Sequence, residues 1–384
     1  MSTIRIFDEN SHVHSFKATV LSCEQRGDKY EIILDRTAFF PEGGGQAADT
    51  GYISHARVFD VIENERIITH ICDKPVFGVV KCEIDWEQRF SRMQQHSGEH
   101  IFSGIIHKLT GADNVGFHMG DEFMTIDFSL EIDENTLKKA ELSANNAVYE
   151  NRRVVCSYPT SEQLETLDYR SKLELTKDIR IVEIEGIDRC ACCAPHVERT
   201  GEIGIIKVLG SMRHREGTRV FLVCGGAAFS NMCAIDEQNS RISELLSAKK
   251  HETFAAVSKL NEDYQSEKLK FSSFKKTLAE RIAQNADITD GATVFFCDEL
   301  SMDELRHAVN CAATRANRLC AALSGDDQTG YMYVIKSDTL ALSIMSREIN
   351  AALNGSGGGK SDMIQGRFRE KRQNIVDYLY SLLK

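Results

Sequence analysis

The sequence predicts an α+β chain built of several units, and three observations carry that reading. Over about the first 85 residues, β-branched and aromatic side chains alternate with polar ones or run together in short stretches, as in Lys29-Tyr-Glu-Ile-Ile-Leu and Arg57-Val-Phe-Asp-Val-Ile. From residue 88 the apolar positions Phe90, Met93, Ile101, Ile105, Ile106 and Leu109 fall at helical spacing, and Thr110-Gly111 supplies a stop. All four prolines lie in the first 195 residues, and neither glycine nor proline occurs between Gly226 and Gly291, so a long helix or helix pair is expected there. A chain of 384 residues suits two or three domains of roughly 150 residues. The resulting plan is a β-rich, barrel-like module over 1–87, an α+β domain over 88–229, a long helix or coiled-coil segment over 230–288, and a small α/β domain over 289–384.

Within that plan a helix over 88–109 opens the second unit. A strand-like run over 122–128, a helical stretch over 133–152 and strand-like runs over 179–184 and 204–209 follow. In the long segment Val257, Leu260, Tyr264, Phe271, Phe274 and Leu278 step by three, four and seven, a heptad seam that needs a partner helix. An antiparallel hairpin broken near Lys249-Lys-His251 would cover it within one chain. No glycine eases a tight turn there, so a homodimer through the long helices and the C-terminal domain is expected. Further on, 292–297 and 331–335 look like strands and 303–323 like a helix, and Asn354-Gly-Ser-Gly-Gly-Gly-Lys is a low-complexity stretch.

Composition excludes several classes. Lys and Arg number 46 against 57 Asp and Glu, a net charge of −11, so no overall positive field draws the chain onto a polyanion or an anionic bilayer. Apolar residues at 42% and charged residues at 27% rule out a wholly disordered chain. Apolar runs are too short to span a membrane, and the N-terminus lacks the apolar core of a secretory signal, so a cytoplasmic location is expected. Nine of the twelve cysteines are scattered and only Cys190, Cys192 and Cys193 cluster, which fits a reduced compartment and a metal site better than a disulfide scaffold.

The chemistry-bearing residues fall in three places. His96 and His100 are four apart on the expected helix and share a face, so both imidazoles can reach one ion. About ninety residues later Cys192-Cys-Ala-Pro-His196 offers a thiolate and an imidazole across a Pro-containing turn, completing a tetrahedral set for one zinc ion per chain. Cys190 and Cys193 leave the choice of thiolate open. The letters His96-Ser-Gly-Glu99-His100 also satisfy the inverted zinc-peptidase pattern HxxEH, with Glu99 as base, but the distal candidates are Cys192 and His196 rather than an acid. Outside that reading Glu99 either orients a ring N–H or is a solvated helix carboxylate, and the second is favoured. In Phe39-Phe-Pro-Glu-Gly-Gly-Gly-Gln46 three glycines allow close backbone approach to a ligand and leave Gln46 at the end of a turn, with Thr37 just upstream. Two stretches are locally basic: Lys207, Arg213, Arg215 and Arg219 against Glu216, and Lys360, Arg367, Arg369, Lys371 and Arg372 against Asp362 and Glu370.

Thr37-Ala-Phe-Phe-Pro-Glu-Gly-Gly-Gly-Gln-Ala-Ala-Asp-Thr-Gly51, then Gln94-Gln-His-Ser-Gly-Glu-His100, then Cys192-Cys-Ala-Pro-His-Val197 resemble, in that order, the editing domain of alanyl-tRNA synthetase and the related AlaX proteins. The segment from Asn354 to Gly366 resembles the glycine-rich end of the DHH-associated domain that closes alanyl-tRNA synthetases. The editing motifs begin so early that no room is expected for an aminoacylation domain, so the long AlaX form is the one implied. The resemblance implies an aminoacyl-tRNA deacylase acting on Ser-tRNA(Ala), and on the glycine-charged form, while sparing Ala-tRNA(Ala). It implies His96, His100, Cys192 and His196 as zinc ligands, Gln46 lining the ester pocket and Thr37 sensing the seryl hydroxyl. The basic residues Arg213, Arg215, Arg219, Lys360, Arg367, Arg369, Lys371 and Arg372 become candidates for the tRNA grip. A site that bonds a substrate hydroxyl discriminates strongly against its absence. The chain departs from the family at Cys193-Ala194, where two glycines usually follow the cysteine. A catalytically silent tRNA-binding protein with a structural zinc is the alternative, and a zinc peptidase a distant third.

Overall fold

The computed structural model describes residues 2–120, 122–171 and 179–384, which form two compact units, Met1–Ser240 and Arg241–Lys384. In the first unit six strands close on themselves: β1 (Ser15–Arg26), β2 (Lys29–Leu34), β3 (Gly51–Ile53), β4 (Ala56–Asn64), β5 (Ile67–Cys72) and β6 (Val79–Ile84), in the order β1-β2-β5-β4-β3-β6. Every pairing is antiparallel, and β6 returns to β1 through Phe16↔Cys82, which leaves no open edge. The alternation in the sequence decides which side faces inward. Ile68, His70 and Cys72 on β5 and Val80, Cys82 and Ile84 on β6 are buried, while the residues between them are not. Ile32, Leu34, Phe39, Val58 and Val61 help fill the interior, each contributing roughly 1.5–3 kcal/mol on full burial.

Next comes α1 (Trp86–Thr110), which ends where Gly111, at φ 74°, turns its N–H back to His107 O at 2.8 Å. It is followed by β7 (Asn114–Met119), β8 (Met124–Phe128), α2 (Glu134–Tyr149), β9 (Val154–Ser157), β10 (Ile181–Ile184), β11 (Asp188–Ala191), β12 (Ile206–His214), β13 (Gly217–Cys224) and α3 (Gly225–Leu245). Helix α2 starts at Asp133, whose carboxylate accepts from Thr136 N at 3.0 Å. Strands β12-β13-β8-β7 form one antiparallel sheet and β9-β10-β11 another. Met93, Ile101, Phe102 and Ile106 of α1 share a core with Ile126 and Phe128 of β8, Leu137 and Ala144 of α2 and Leu222 of β13. The middle of α1 is thereby covered on several sides, so polar residues such as Arg89, His96, Glu99 and His100 are enclosed with its apolar ones.

The second unit begins with the last residues of α3 and continues into α4 (Thr253–Asn285), a single 33-residue helix. Its seam residues Val257, Leu260, Tyr264, Phe271, Phe274 and Leu278 stay 37–63% exposed, whereas Ala279 and Ala283 are buried. Beyond it lie β14 (Ala292–Phe296), α5 (Met302–Ala313), β15 (Leu319–Asp326), β16 (Gly330–Lys336), α6 (Leu342–Ala352), β17 (Ser356–Lys360), β18 (Met363–Phe368) and α7 (Arg372–Ser381). The sheet order is β14-β15-β16-β18-β17, with β14 and β15 parallel and the rest antiparallel.

Two expectations change here. The helix expected over 303–323 ends at Ala313, and its second half becomes β15. Leu319 to Ser324 are all buried because β15 is covered on both faces, and such a strand reads as a continuous apolar run that periodicity does not distinguish from a buried helix. The low-complexity stretch that begins at Asn354 is largely drawn into the sheet. Ser356–Lys360 is an edge strand whose backbone pairs with β18 through Gly357↔Gly366 and Gly359↔Ile364. Among the described residues no helix is long and apolar enough to cross a membrane.

Candidate metal centre

Helix α1 places His96 and His100 one turn apart on a buried face, each 2% exposed, with ring centroids 5.4 Å apart. The segment after β11 turns through Pro195 and brings Cys192 and His196 against them. The His196 ring lies 4.8 Å from each of the other two rings, and Cys192 Sγ is 3.5 Å from His96 Nε2 and 3.4 Å from His196 Nε2. One donor atom from each of the four lies within 4.8 Å of the others. Of the two remaining cysteines, Cys190 groups with His100 and Asp188. Cys193 Sγ lies against the glycine turn, 3.4 Å from where a side chain on Gly44 would begin.

The rings are aimed from behind. His100 Nδ1 is 3.0 Å from Asp188 Oδ2, His196 Nδ1 is 3.1 Å from Ser97 Oγ, and His96 Nδ1 is 3.2 Å from Gln46 Oε1. With each Nδ1–H donating to one of these oxygens, each Nε2 keeps its lone pair. Asp188 is gripped in turn by Arg170, Nε to Oδ1 at 2.7 Å and the terminal nitrogen to Oδ2 at 2.8 Å. Burial raises the Asp188 pKa, but the bonds from His100 and Arg170 outweigh it and hold the carboxyl at about 2. Burial also favours a neutral Cys192 thiol, yet His96 and His196 outweigh that and set its pKa well below the ordinary thiol value. Gly104, one turn beyond His100, permits the approach of Asp188 to that ring, since a Cβ there would lie 2.7 Å from Asp188 Cβ. A thiolate beside three oriented imidazoles fits a tetrahedral cation of borderline softness.

The triple glycine builds the fourth wall. Gly43 N donates to Gln46 O and Gln46 N to Gly43 O, both at 3.0 Å, around Gly44 and Gly45 at φ 60° and 81°, a two-residue turn that needs left-handed backbone twice. Gln46 is fully buried, and its Nε2 has no acceptor among the described residues. A buried ion pair fixes this segment to α1. Arg89, two turns before His96, donates through Nε to Asp49 Oδ1 and Oδ2 at 3.0 and 2.8 Å and through a terminal nitrogen to Ala38 O at 2.6 Å, while Phe40 N donates to Asp49 Oδ2 at 2.7 Å.

Thr37 falls inside the barrel with a partner of its own. Its hydroxyl is 2.8 Å from His70 Nε2 and accepts from Phe39 N at 3.1 Å. His70 Nδ1 is 3.0 Å from Ile32 O, and burial lowers the ring pKa to about 4, so the neutral ring carries its proton on Nδ1 and Thr37 donates to Nε2. Glu99 is no solvated carboxylate: it is 1% exposed, accepts from Ser103 Oγ at 2.7 Å and from Asn114 Nδ2, and lies 3.9 Å from His100 Nε2. Its side chain turns inward because α1 is enclosed on that face too.

The basic stretches are divided by their neighbours. Arg219 makes a double bond-pair to Asp127 at 2.6 and 2.7 Å and Lys207 pairs with Glu141 at 2.7 Å, whereas Arg213, beside Glu131 at 3.1 Å, and Arg215 point outward on the β12–β13 hairpin. In the second unit Lys360, Arg367, Arg369, Lys371 and Arg372 are exposed, Arg372 lying 3.9 Å over the Phe296 ring. Sequence reasoning did not find Asp188, Arg170, Ser97, Asp49, Arg89 or His70, because none stands at a ligand spacing. The one local signal was Asp188, two residues before Cys190.

The description "threonyl and alanyl tRNA synthetase second additional domain" matches residues 179–220, and "tRNA synthetases class II (A)" matches 7–88. The first span contains Asp188, Cys192 and His196, and the second contains Thr37 and Gln46. The alanyl-tRNA editing protein AlaX-L of Pyrococcus horikoshii is 26% identical over 99% of this chain and 98% of its own. The alanine–tRNA ligases of Ignicoccus hospitalis and Pyrococcus abyssi are 31% and 28% identical over 75% and 99% of this chain. The chain spans only 33% and 44% of those two ligases. The likeness runs the length of an AlaX-L protein, and two synthetase domain matches fall on the segments that build the site, so this chain is similar throughout to the AlaX-type alanyl-tRNA editing proteins.

Proposed function

We propose that the chain deacylates tRNA(Ala) mischarged with serine, and its glycine-charged counterpart, while sparing Ala-tRNA(Ala). The observation that carries this reading is the glycine turn docked on the four-donor cluster: Gln46 orients His96 through Oε1 and keeps an uncommitted, buried amide N–H. An aminoacyl ester is already activated, so a donor aimed at its carbonyl oxygen and a positioned water suffice without a covalent nucleophile. In this reading Gln46 Nε2 supplies that donor. Zinc, one ion per chain on His96, His100, Cys192 and His196, would supply a fixed positive charge and, with four protein ligands, chiefly lock the site. Asp188, Ser97 and Gln46 keep the three rings in the required tautomer.

Thr37 is the proposed sensor of the seryl hydroxyl. Its proton is committed to His70 and one lone pair to Phe39 N–H, so it meets a substrate hydroxyl as an acceptor. Alanine brings no hydroxyl and leaves that acceptor unpaired, so this contact separates seryl from alanyl esters only. The exposed Arg213, Arg215, Lys360, Arg367, Arg369 and Lys371 offer phosphate contacts, and the exposed α4 seam supports a homodimer. A peptidase needs Glu99 as base at an open coordination position. Here Ser103 and Asn114 engage its carboxylate and Cys192 and His196 complete the donor set, which favours the ester.

The test is the rate of ester hydrolysis by purified protein on Ser-, Gly- and Ala-tRNA(Ala). Loss of the first two esters with the third preserved is expected. Tight tRNA binding with no hydrolysis would transfer the reading to a silent binding protein.

A further inference from the structure

We propose that Glu280, His307 and Cys311 form a second metal site in the C-terminal unit, one that takes a zinc ion with one coordination position left to water. His307 and Cys311 are four apart on α5 and so share a face, and Glu280 comes from α4. Glu280 Oε1 is 2.7 Å from His307 Nε2, Cys311 Sγ is 3.9 Å from the same nitrogen, and the three donor atoms lie within 4.8 Å of one another. Around a zinc ion with arms of about 2.0–2.3 Å, ligand atoms sit about 3.3–3.8 Å apart. The thiol and imidazole are therefore nearly at coordinating distance, and only the flexible Glu280 side chain has to withdraw by under about 1 Å to admit an ion.

The two helices hold this geometry firmly. Ala279 and Ala283 of α4 and Ala308 and Ala312 of α5 are fully buried in one core, so the helices meet over small side chains. Lys275 Nζ donates to Glu299 O at 2.9 Å on one side, and Arg315 donates to Ala283 O and Gln284 O at 2.8 Å on the other. A mixed sulfur, nitrogen and oxygen set selects a borderline ion such as zinc over the hard cations calcium and magnesium. Half-exposed, with side chains 37% and 45% accessible at His307 and Glu280, the site is open to solvent for loading. Bound metal would pin the last turns of the long helix to α5.

Zinc titration of the chelator-stripped full chain, followed by metal analysis after gel filtration, tests this. Cys311→Ser and His307→Gln should each lower the bound zinc by one equivalent while the far-ultraviolet spectrum stays unchanged. Cobalt gives the independent reading: in a Cys192→Ser chain, a thiolate-to-cobalt charge-transfer band should persist and should vanish when Cys311→Ser is added. Zinc content unaltered by both single variants, or no such band in the Cys192→Ser chain, overturns the proposal and leaves an ordinary ion pair between Glu280 and His307.

Discussion

Asp49→Ala is the sharpest test of how the glycine turn is held on the metal-bearing helix. Asp49 and Arg89 are each 1% exposed, and the substitution strands a guanidinium with only backbone carbonyls while orphaning Phe40 N–H. Breaking such a buried pair from one side costs about 3–5 kcal/mol. For a unit of this size each kcal/mol is about 2–4 °C, so the melting temperature of the first unit should fall by roughly 6–20 °C. The single tryptophan, Trp86, stands three residues before Arg89 on α1 with its ring 5.4 Å from Phe90, so urea unfolding followed by its fluorescence reports on this helix. Asp49→Leu with Arg89→Met removes both charges together and should recover most of the loss. Asp49→Ala within about 1 kcal/mol of wild type, or a double variant as unstable as the single one, would refute the clamp. Deacylation should fall in Asp49→Ala even where it is folded, since residues 38–49 carry Gln46.

Four further outcomes are expected. Asp188→Asn keeps the contact to His100 but loses the negative charge, so zinc affinity measured by chelator competition should drop about 10–100-fold, and an unchanged affinity would remove Asp188 from the support of the site. His70 has a folded pKa of about 4 against 6.5 unfolded, so the unfolded chain takes up the proton first. Stability from this group is full above about 6.5 and falls as pH drops toward 4, by up to about 3 kcal/mol, and His70→Gln should flatten the wild-type curve in that window. Thr37→Ser should retain the seryl-to-alanyl rate ratio, whereas Thr37→Val should relax it and also cost about 1–3 kcal/mol by orphaning His70 Nε2 and Phe39 N–H; an unchanged ratio in Thr37→Val excludes the sensing role. Leu260→Asp with Phe271→Asp and Phe274→Asp should leave a monomer in sedimentation velocity at micromolar concentration, and a wild-type monomer would contradict the dimer.

The parts legible in the sequence were those with a local period. Strand alternation in 29–34 and 57–62, the i,i+4 histidines of α1 and the Gly- and Pro-free α4 follow from one stretch of chain at a time. The β15 strand was misread because a fully covered strand loses its alternation, and Ala, Cys and Leu suit both states. Asp188, Arg170, Ser97 and His70 act at long range: His70 reaches Thr37 across 33 residues and Asp188 reaches His100 across 88, through sheet register and helix packing that no spacing records. Glu99 was misjudged for a related reason. A carboxylate on a helix is solvated by default, and only the enclosure of α1 beside Asn114 reverses that.

The four converging side chains and Gln46 are proposed to constitute an ester-hydrolysing site. Release of labelled serine from Ser-tRNA(Ala), followed over time with the wild-type chain and with Gln46→Ala at matched zinc content, tests it most directly. Release by the wild-type protein should be rapid, and Gln46→Ala should slow it about 10²–10³-fold, the scale of removing one carbonyl-directed donor. Equal release by both, or none above the spontaneous rate with either, would contradict it.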